Sequence, residues 1–197
     1  QVDNFGTGSL NTGPADDHTA NGSIYMYTEA STGFLGDSTS LFSPCVDLTN
    51  SSTPRLSFWY HMFGADMGTL DVYAISGDTT ALLFTQTGPV QSSDTDPWIE
   101  VIGDLSPFVG EIIQLEFRGT RGTGFTGDMA IDDVLVYEPS DVDAASIGVI
   151  PTGASCYTSA EDITVLVRNL GNQVLDFSTD PLTVTVDVTG ASTQNFS

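Results

Sequence analysis

A chain of 197 residues with 26 acidic side chains against four basic ones, a net charge of −22, repels nucleic acid and anionic membrane surfaces, so neither is expected as a partner. Acidity alone is compatible with disorder, but 40% hydrophobic residues, eleven Phe and short patterned segments between turn residues argue for a folded, packed protein. No apolar run approaches the ~20 residues of a membrane span, and no signal-peptide pattern opens the chain, so Gln1 reads as a mature or trimmed start.

Residues 1 to 23 read as loop, rich in Gly, Thr, Asn, Asp and Ser, with Phe5 and Leu10 as apolar anchors. Within it, Asp16-Asp17-His18-Thr19 clusters oxygen ligands with an imidazole; a lone His beside Asp is ordinarily a hydrogen-bonding loop residue. Ser23 to Glu29 alternates Ile24, Met26 and Thr28 against Tyr25, Tyr27 and Glu29, a strand pattern. Ser38 to Leu48 carries Leu41, Phe42 and Val46 around Pro44, which implies an edge or a bulge. Arg55 to Phe63 sets Leu56, Phe58, Tyr60 and Met62 against Ser57, Trp59, His61 and Phe63, the pattern of a central sandwich strand.

Gly64 to Gly68 turns the chain into Thr69 to Ser76, where Leu70, Val72 and Ala74 alternate with Asp71, Tyr73 and Ile75. Ala81 to Gln86, Trp98 to Ile102 and Ile112 to Arg118 continue the series, with Leu105 to Phe108 a short turn. Arg118 to Gly124 is glycine-rich and holds two of the four Arg, but it lacks the phosphate-loop pattern and a following helix, so it reads as a connection.

The series closes on Asp128 to Tyr137. Strict alternation puts Met129, Ile131, Asp133, Leu135 and Tyr137 on one face and Ala130, Asp132, Val134 and Val136 on the other. Either face then carries a carboxylate into the core, where an unpaired charge is costly. With no Lys and four Arg in the chain, a bound metal ion is a candidate partner. The alternative is that one Asp caps backbone amides while the other pairs with Arg118 or Arg121.

Glu138-Pro139-Ser140 breaks the pattern and suggests a boundary between domains at 1–139 and 140–197. Ala144 to Ile150, Ile163 to Asn169 and Leu182 to Thr189 beyond it suit an immunoglobulin-like sandwich. Such a domain needs about 100 residues, and 57 follow Ser140, so the second domain reads as partial and the chain as a fragment. Cys45 and Cys156 match no zinc or CxxC spacing and fall in different expected domains; they read as unpaired with each other, with a bridge still open. No segment shows a helical period, so the fold class is all-β, with two packed sheets.

Asp17-His18-Thr19, Ile24-Tyr25-Met26-Tyr27, Leu56 to Gly64, Met67 to Val72 and Gly127 to Val134 together resemble the MAM domain family, named from meprin, neuropilin and receptor tyrosine phosphatases, over roughly residues 12 to 138. Ser43-Pro44-Cys45 and Gly119 to Gly122 resemble forms in secreted, multidomain surface proteins of the Bacteroidetes, and Asp141 to Ser197 resembles the immunoglobulin-like repeats that follow MAM domains there. The resemblance implies a jelly-roll β-sandwich used outside the cell for adhesion or recognition without catalysis. It also implies a cation site joining Asp17 to Asp132 and Asp133. The family's opening strand is represented here by Gln1 to Phe5 alone, which leaves one ligand and one sheet edge open.

Calcium suits that site because six to eight oxygen ligands can come from carboxylates and carbonyls, and no sulfur or multiple-imidazole set competes. Asp128 and Glu29 are further candidate ligands, and the ion's role is structural. Trp59 and Trp98 are candidate sugar-stacking residues, although aromatic runs of this kind are ordinarily core. Adjacent carboxylates on one strand face opposite ways and cannot flank a glycosidic bond, and His18 and His61 support no Ser-His-Asp set, so the chain is not expected to be an enzyme. The expected function is a secreted or cell-surface adhesion module of a larger bacterial protein, with further domains and with surface proteins or glycans as partners. The alternative is an accessory carbohydrate-binding module of a secreted glycosidase or protease.

Overall fold

A computed structural model describes residues 1–19, 24–150, 163–171, 173–179, 181–188 and 194–196. Two compact units follow one another, Gln1–Glu138 and Pro139–Ser197. Both are built of antiparallel strands among the described residues, and the helical structure there is one 3₁₀ turn, Ser106–Phe108. No helix among those residues is long and apolar enough to cross a membrane.

The first unit is a sandwich of two five-stranded sheets. Its strands are β1 (Val2–Asp3), β2 (Tyr25–Tyr27), β3 (Ser38–Phe42), β4 (Val46–Asp47), β5 (Arg55–His61), β6 (Thr69–Ser76), β7 (Thr79–Thr87), β8 (Ile99–Asp104), β9 (Ile112–Thr120) and β10 (Ala130–Tyr137). The first sheet runs β1-β2-β10-β5-β8 and the second β3-β9-β6-β7, with β4 also on β9. Pro44 separates β3 from β4 at the edge of the second sheet, because proline has no amide proton to give a ladder.

The period-2 patterns place the core between the sheets. Leu56, Phe58, Tyr60 and Met62 meet Leu70, Val72, Ala74, Ile113, Leu115 and Phe117, all of them buried. Phe58 sits at the centre, edge-on to Phe84 and Phe117 at 5.5 and 5.3 Å. Burying a side chain of this size stabilises by roughly 1.5–3 kcal/mol.

Two expectations change. Residues 1–23 are not loop throughout: Val2 and Asp3 pair with Met26 and Tyr25, so a two-residue strand occupies the sheet edge. Alternation along the closing strand also fails midway. Ile131 lies opposite Tyr60 and Asp132 opposite Trp59, but Leu135 pairs with Ser57 and Val136 with Leu56, so a bulge inserts one extra residue. Asp133 sits in it at φ 47°, a left-handed conformation that Asp tolerates better than most residues. Beyond the bulge Val136 packs against the core while Leu135 is 56% exposed. Neither Asp132 nor Asp133 therefore enters the space between the sheets.

In the second unit, β11 (Ala144–Ile150) pairs with β12 (Thr164–Asn169), and β13 (Val186–Val188) with β14 (Gln194–Phe196). Cys45 is exposed and free. The reading of Cys156 concerns a position outside the described residues.

Candidate functional site

The outer face of the first sheet carries Tyr25, Tyr27, Trp59, His61, Ala130 and Asp132, since residues paired across a ladder share a face. The segment from Thr12 to Thr19 crosses this face and covers it. Gly13 N donates to Phe63 O at 2.9 Å, Ala15 N to Asp94 O at 2.8 Å, and Trp98 Nε1 to Asp16 O at 3.3 Å. Tyr25 also donates its hydroxyl to Phe5 O. Thr12 ties the start of the segment down, donating from Oγ1 to Phe63 O and accepting from Asp128 N at 2.8 Å. The approach there is close enough to need glycine at position 64, where φ is 142° and a Cβ would stand 2.2 Å from Thr126 O.

At its far end the segment reaches the bulge. His18 N donates to Asp132 Oδ2 at 3.2 Å, and Asp133 N donates to Asp132 Oδ1 at 2.8 Å. Asp133 Oδ2 meets His18 Nδ1 at 2.7 Å and accepts from Thr19 Oγ1 at 2.5 Å. The His18 ring stacks on Trp59, centroids 3.9 Å apart and planes 18° apart. Asp133 thus takes His18 and Thr19 as partners, where the sequence alternative had named Arg118 or Arg121. Arg118 is held instead by Glu116 and lies over Tyr73, while Arg121 donates to Ala30 O and Gly122 O.

The environments of the paired aspartates push them apart. Burial raises the Asp132 carboxyl above its ordinary value, aided by the charges of Asp17 and Asp133 and opposed by its two amide donors. The Thr19 and His18 hydrogen bonds hold Asp133 below its ordinary value. Asp17 lies close enough to Asp132 for its charge to act there, and both of its carboxylate oxygens are buried without a hydrogen-bond partner. A carboxylate left so is costly, and a cation is the simplest compensation.

Asp17 therefore lies near Asp132, while the Asp133 carboxylate turns to His18 and Thr19, and Asp128 and Glu29 make their contacts elsewhere. Asp128 precedes Asp132 by four residues, roughly 13 Å at the rise of a strand. It is fully buried, accepts Ala30 N on Oδ1 at 2.8 Å, leaves Oδ2 unpartnered and is raised by burial. Glu29 accepts from Ser31 N at 2.9 Å. Among the described residues, no three His, Cys, Asp or Glu side chains enclose a metal position. The two orphaned oxygens of Asp17 fit a hard cation, with hydroxyls, carbonyls and water left to complete the shell.

The aromatic candidates are engaged. His18 lies on Trp59, and Trp98 packs against Tyr25 and His61 at 5.6 and 5.5 Å. His61 is fully buried, both ring nitrogens lack a side-chain or backbone partner, and burial pushes it down to about 4. What sequence reasoning missed is the role of His18 as the strap that joins Trp59 to Asp133; the only signal was the spacing of an Asp-His-Thr triplet from an Asp-Asp pair.

A family model described as MAM domain, meprin/A5/mu, matches residues 3–140. Neuropilin-1 of Xenopus laevis is 34% identical over 128 residues, covering 64% of this chain and 13% of that protein. MAM domain-containing glycosylphosphatidylinositol anchor protein 2 of Mus musculus is 36% identical over 141 residues, covering 65% of this chain and 14% of that protein. The chain thus spans a small part of the curated relatives it matches. Among solved structures, the K1 cleaved adhesin domain of Lys-gingipain from Porphyromonas gingivalis is similar at 22% identity and a TM-score of 0.49, over 70% of this chain and 89% of that one.

Proposed function

The chain belongs to the MAM domain family over residues 3–140, and on that premise we propose that it is a non-catalytic extracellular recognition or adhesion module of a larger secreted or cell-surface protein, stabilised by calcium. The observation that carries the calcium reading is the buried carboxylate of Asp17, both oxygens unpartnered, beside Asp132. Asp17 and Asp132 hold the ion and Asp133 orients the loop through His18 and Thr19. Bound there, calcium neutralises the local carboxylates and ties the N-terminal segment to the closing strand.

The extracellular setting draws on the glycosylphosphatidylinositol anchor in one relative's name, since such an anchor puts its protein on the cell surface. A Bacteroidetes-type host protein and an immunoglobulin-like second unit, partial in this chain, complete the reading. Recognition of a sugar by Trp59 or Trp98 is the weaker alternative, because stacking needs an open indole face and both rings already have aromatic neighbours.

Isothermal titration with calcium tests the site: saturable binding that disappears in Asp17→Asn supports it, and heat of dilution alone sinks it. A glycan array run beside a pull-down from surface extracts separates the two recognition readings. Saturable sugar binding lost in Trp98→Ala favours the carbohydrate module.

A further inference from the structure

His61 lies on the outer face of β5, fully buried, and neither of its ring nitrogens has a hydrogen-bond partner. A neutral imidazole carries one donor and one acceptor, and leaving both unpaired away from water is costly. The ring belongs to an aromatic cluster: Trp98 lies 5.5 Å from it and meets Tyr25 at 5.6 Å.

The N-terminal segment closes over this cluster, pinned at two points. Thr12 is held by Phe63 O and the Asp128 amide, and His18 by Asp133 and the face of Trp59. Between the pins, Gly13 at φ 69° starts a flap that runs to Asp17. Beyond Gly13 the flap is tied to the cluster by two hydrogen bonds, Ala15 N to Asp94 O and Trp98 Nε1 to Asp16 O, and by an isolated bridge from Asp16 to Phe5. No β-ladder includes it, and a segment so thinly attached opens more readily than the sheets unfold.

Carboxylates draw a proton toward His61, and burial refuses it. Asp94 and Asp96, on the connection from β7 to β8, act on the ring; Asp96 accepts from the amides of Ser92 and Ser93 and is held well below its ordinary value. The flap carries Asp16 and Asp17 and ends at His18, β10 carries Asp132 on the same face, and the Tyr25 hydroxyl of β2 is donated to Phe5 O. Burial outweighs the carboxylates and pushes the ring down to about 4. Water admitted to the ring would restore an ordinary value near 6.5, so protons favour the state that lets water in.

We propose that Gly13 to Asp17 is a proton-operated lid: in acid His61 takes up a proton, the flap lifts between its pins at Thr12 and His18, and the rings of Trp98 and Tyr25 are uncovered. The open form presents the bare indole that stacking on a sugar or an apolar side chain needs, so the lid decides when Trp98 is available. This device rests on neither the calcium reading nor the identity of what is recognised. From the closed and open values, lowering the pH from 7 to 4.5 raises the ratio of open to closed lid roughly fifty-fold.

Native-state hydrogen exchange at pH 7 and 4.5, in chelator and rising urea, tests the lid. The Ala15 amide and the Trp98 indole N–H report the flap, and the amides of the central strand β6 report the core. The flap protons are expected to exchange well ahead of the core, with little dependence on urea, and to lose roughly fifty-fold in protection at pH 4.5. In His61→Gln that loss should shrink to less than threefold. Equal urea slopes for flap and core overturn the lid, because the segment then opens only when the whole unit unfolds. That comparison uses the wild type alone, so it decides even where His61→Gln fails to fold. A fifty-fold loss retained in folded His61→Gln overturns the histidine as the trigger.

Discussion

The imidazole of His18 lies flat on the indole of Trp59, 3.9 Å between centroids, and the same ring holds Asp133 at 2.7 Å. One loop residue thereby joins the central strand β5 to the bulge in β10. The stack lies on the outer face of the sheet, so the loop, rather than a third layer, shields that face from water.

His18→Ala should destabilise the first unit by about 1–3 kcal/mol, from a ring stack worth roughly 0.5–1.5 kcal/mol and a charge-assisted hydrogen bond. Urea unfolding of His18→Ala, Trp59→Ala and the double variant measures the coupling directly. A coupling near 1 kcal/mol is expected; strict additivity would show that the stacked geometry contributes nothing.

Calcium should raise the melting temperature. Saturation at a hundred times the dissociation constant stabilises by about 2.7 kcal/mol, which for a domain of this size shifts the midpoint by roughly 5–15 °C. Asp17→Asn should abolish the shift and also stabilise the calcium-free protein, since it removes a buried charge whose two oxygens have no partner. Scanning calorimetry with calcium and with chelator checks both halves, and identical midpoints for the wild type in the two buffers would dismiss the ion.

Asp133 combines φ 47° with the His18 and Thr19 contacts, and substitutions can separate the two roles. Asp133→Gly keeps the left-handed backbone at little cost but loses the side-chain partners. Asp133→Val loses both and strains a β-branched residue. The ordering wild type, then Gly, then Val in chemical-denaturation midpoint is expected, with Val at least ~1 kcal/mol below Gly. Equal midpoints for Gly and Val would mean the bulge relaxes.

The same residue shows why the strand pattern was legible in one place and not in another. Thr69 to Ser76 alternates without interruption until its end, and its neighbours β7 and β9 cover it, so the side-chain period and the burial agree. In Asp128 to Tyr137 the first half obeys the same rule, with Met129 and Ile131 inward, but one left-handed residue then shifts the register. Composition does not distinguish an Asp in a bulge from an Asp in a ladder. The N-terminal residues hid their order for another reason: Val2 and Asp3 form a strand through pairing with Tyr25 and Met26, contacts more than 20 positions away that no local pattern encodes. For the site, the family resemblance implied a link from Asp17 to the aspartate pair, and the structure adds that the charge of Asp17 acts on Asp132. His18 as its strap, and the separation of Asp128 and Glu29 from it, required coordinates.

Acid should weaken the fold through His61 more steeply than carboxylate titration alone would. His61 is fully buried and pushed down to about 4, from an ordinary value near 6.5, because burial disfavours its charged form; the nearby charges of Asp96 and Asp94 oppose this only in part. Between those two values the unfolded chain binds a proton that the folded chain refuses. Stability therefore rises with pH across that window, is fully present above about 6.5, and falls as pH drops toward 4. Glu138, held down to about 2 by the Ser52 and Thr53 hydroxyls and amides, acts in the same direction at lower pH, between 4.5 and 2. Asp128 and Asp132 act in the opposite sense: burial raises both, so the folded state takes up their protons first and acid costs less there. Comparison with His61→Gln isolates the histidine contribution, on the order of 3 kcal/mol at most. Melting midpoints measured from pH 4.5 to 7 should fall with acid in the wild type and stay nearly level in His61→Gln. Parallel curves would show that His61 takes up its proton equally in the folded and unfolded chain.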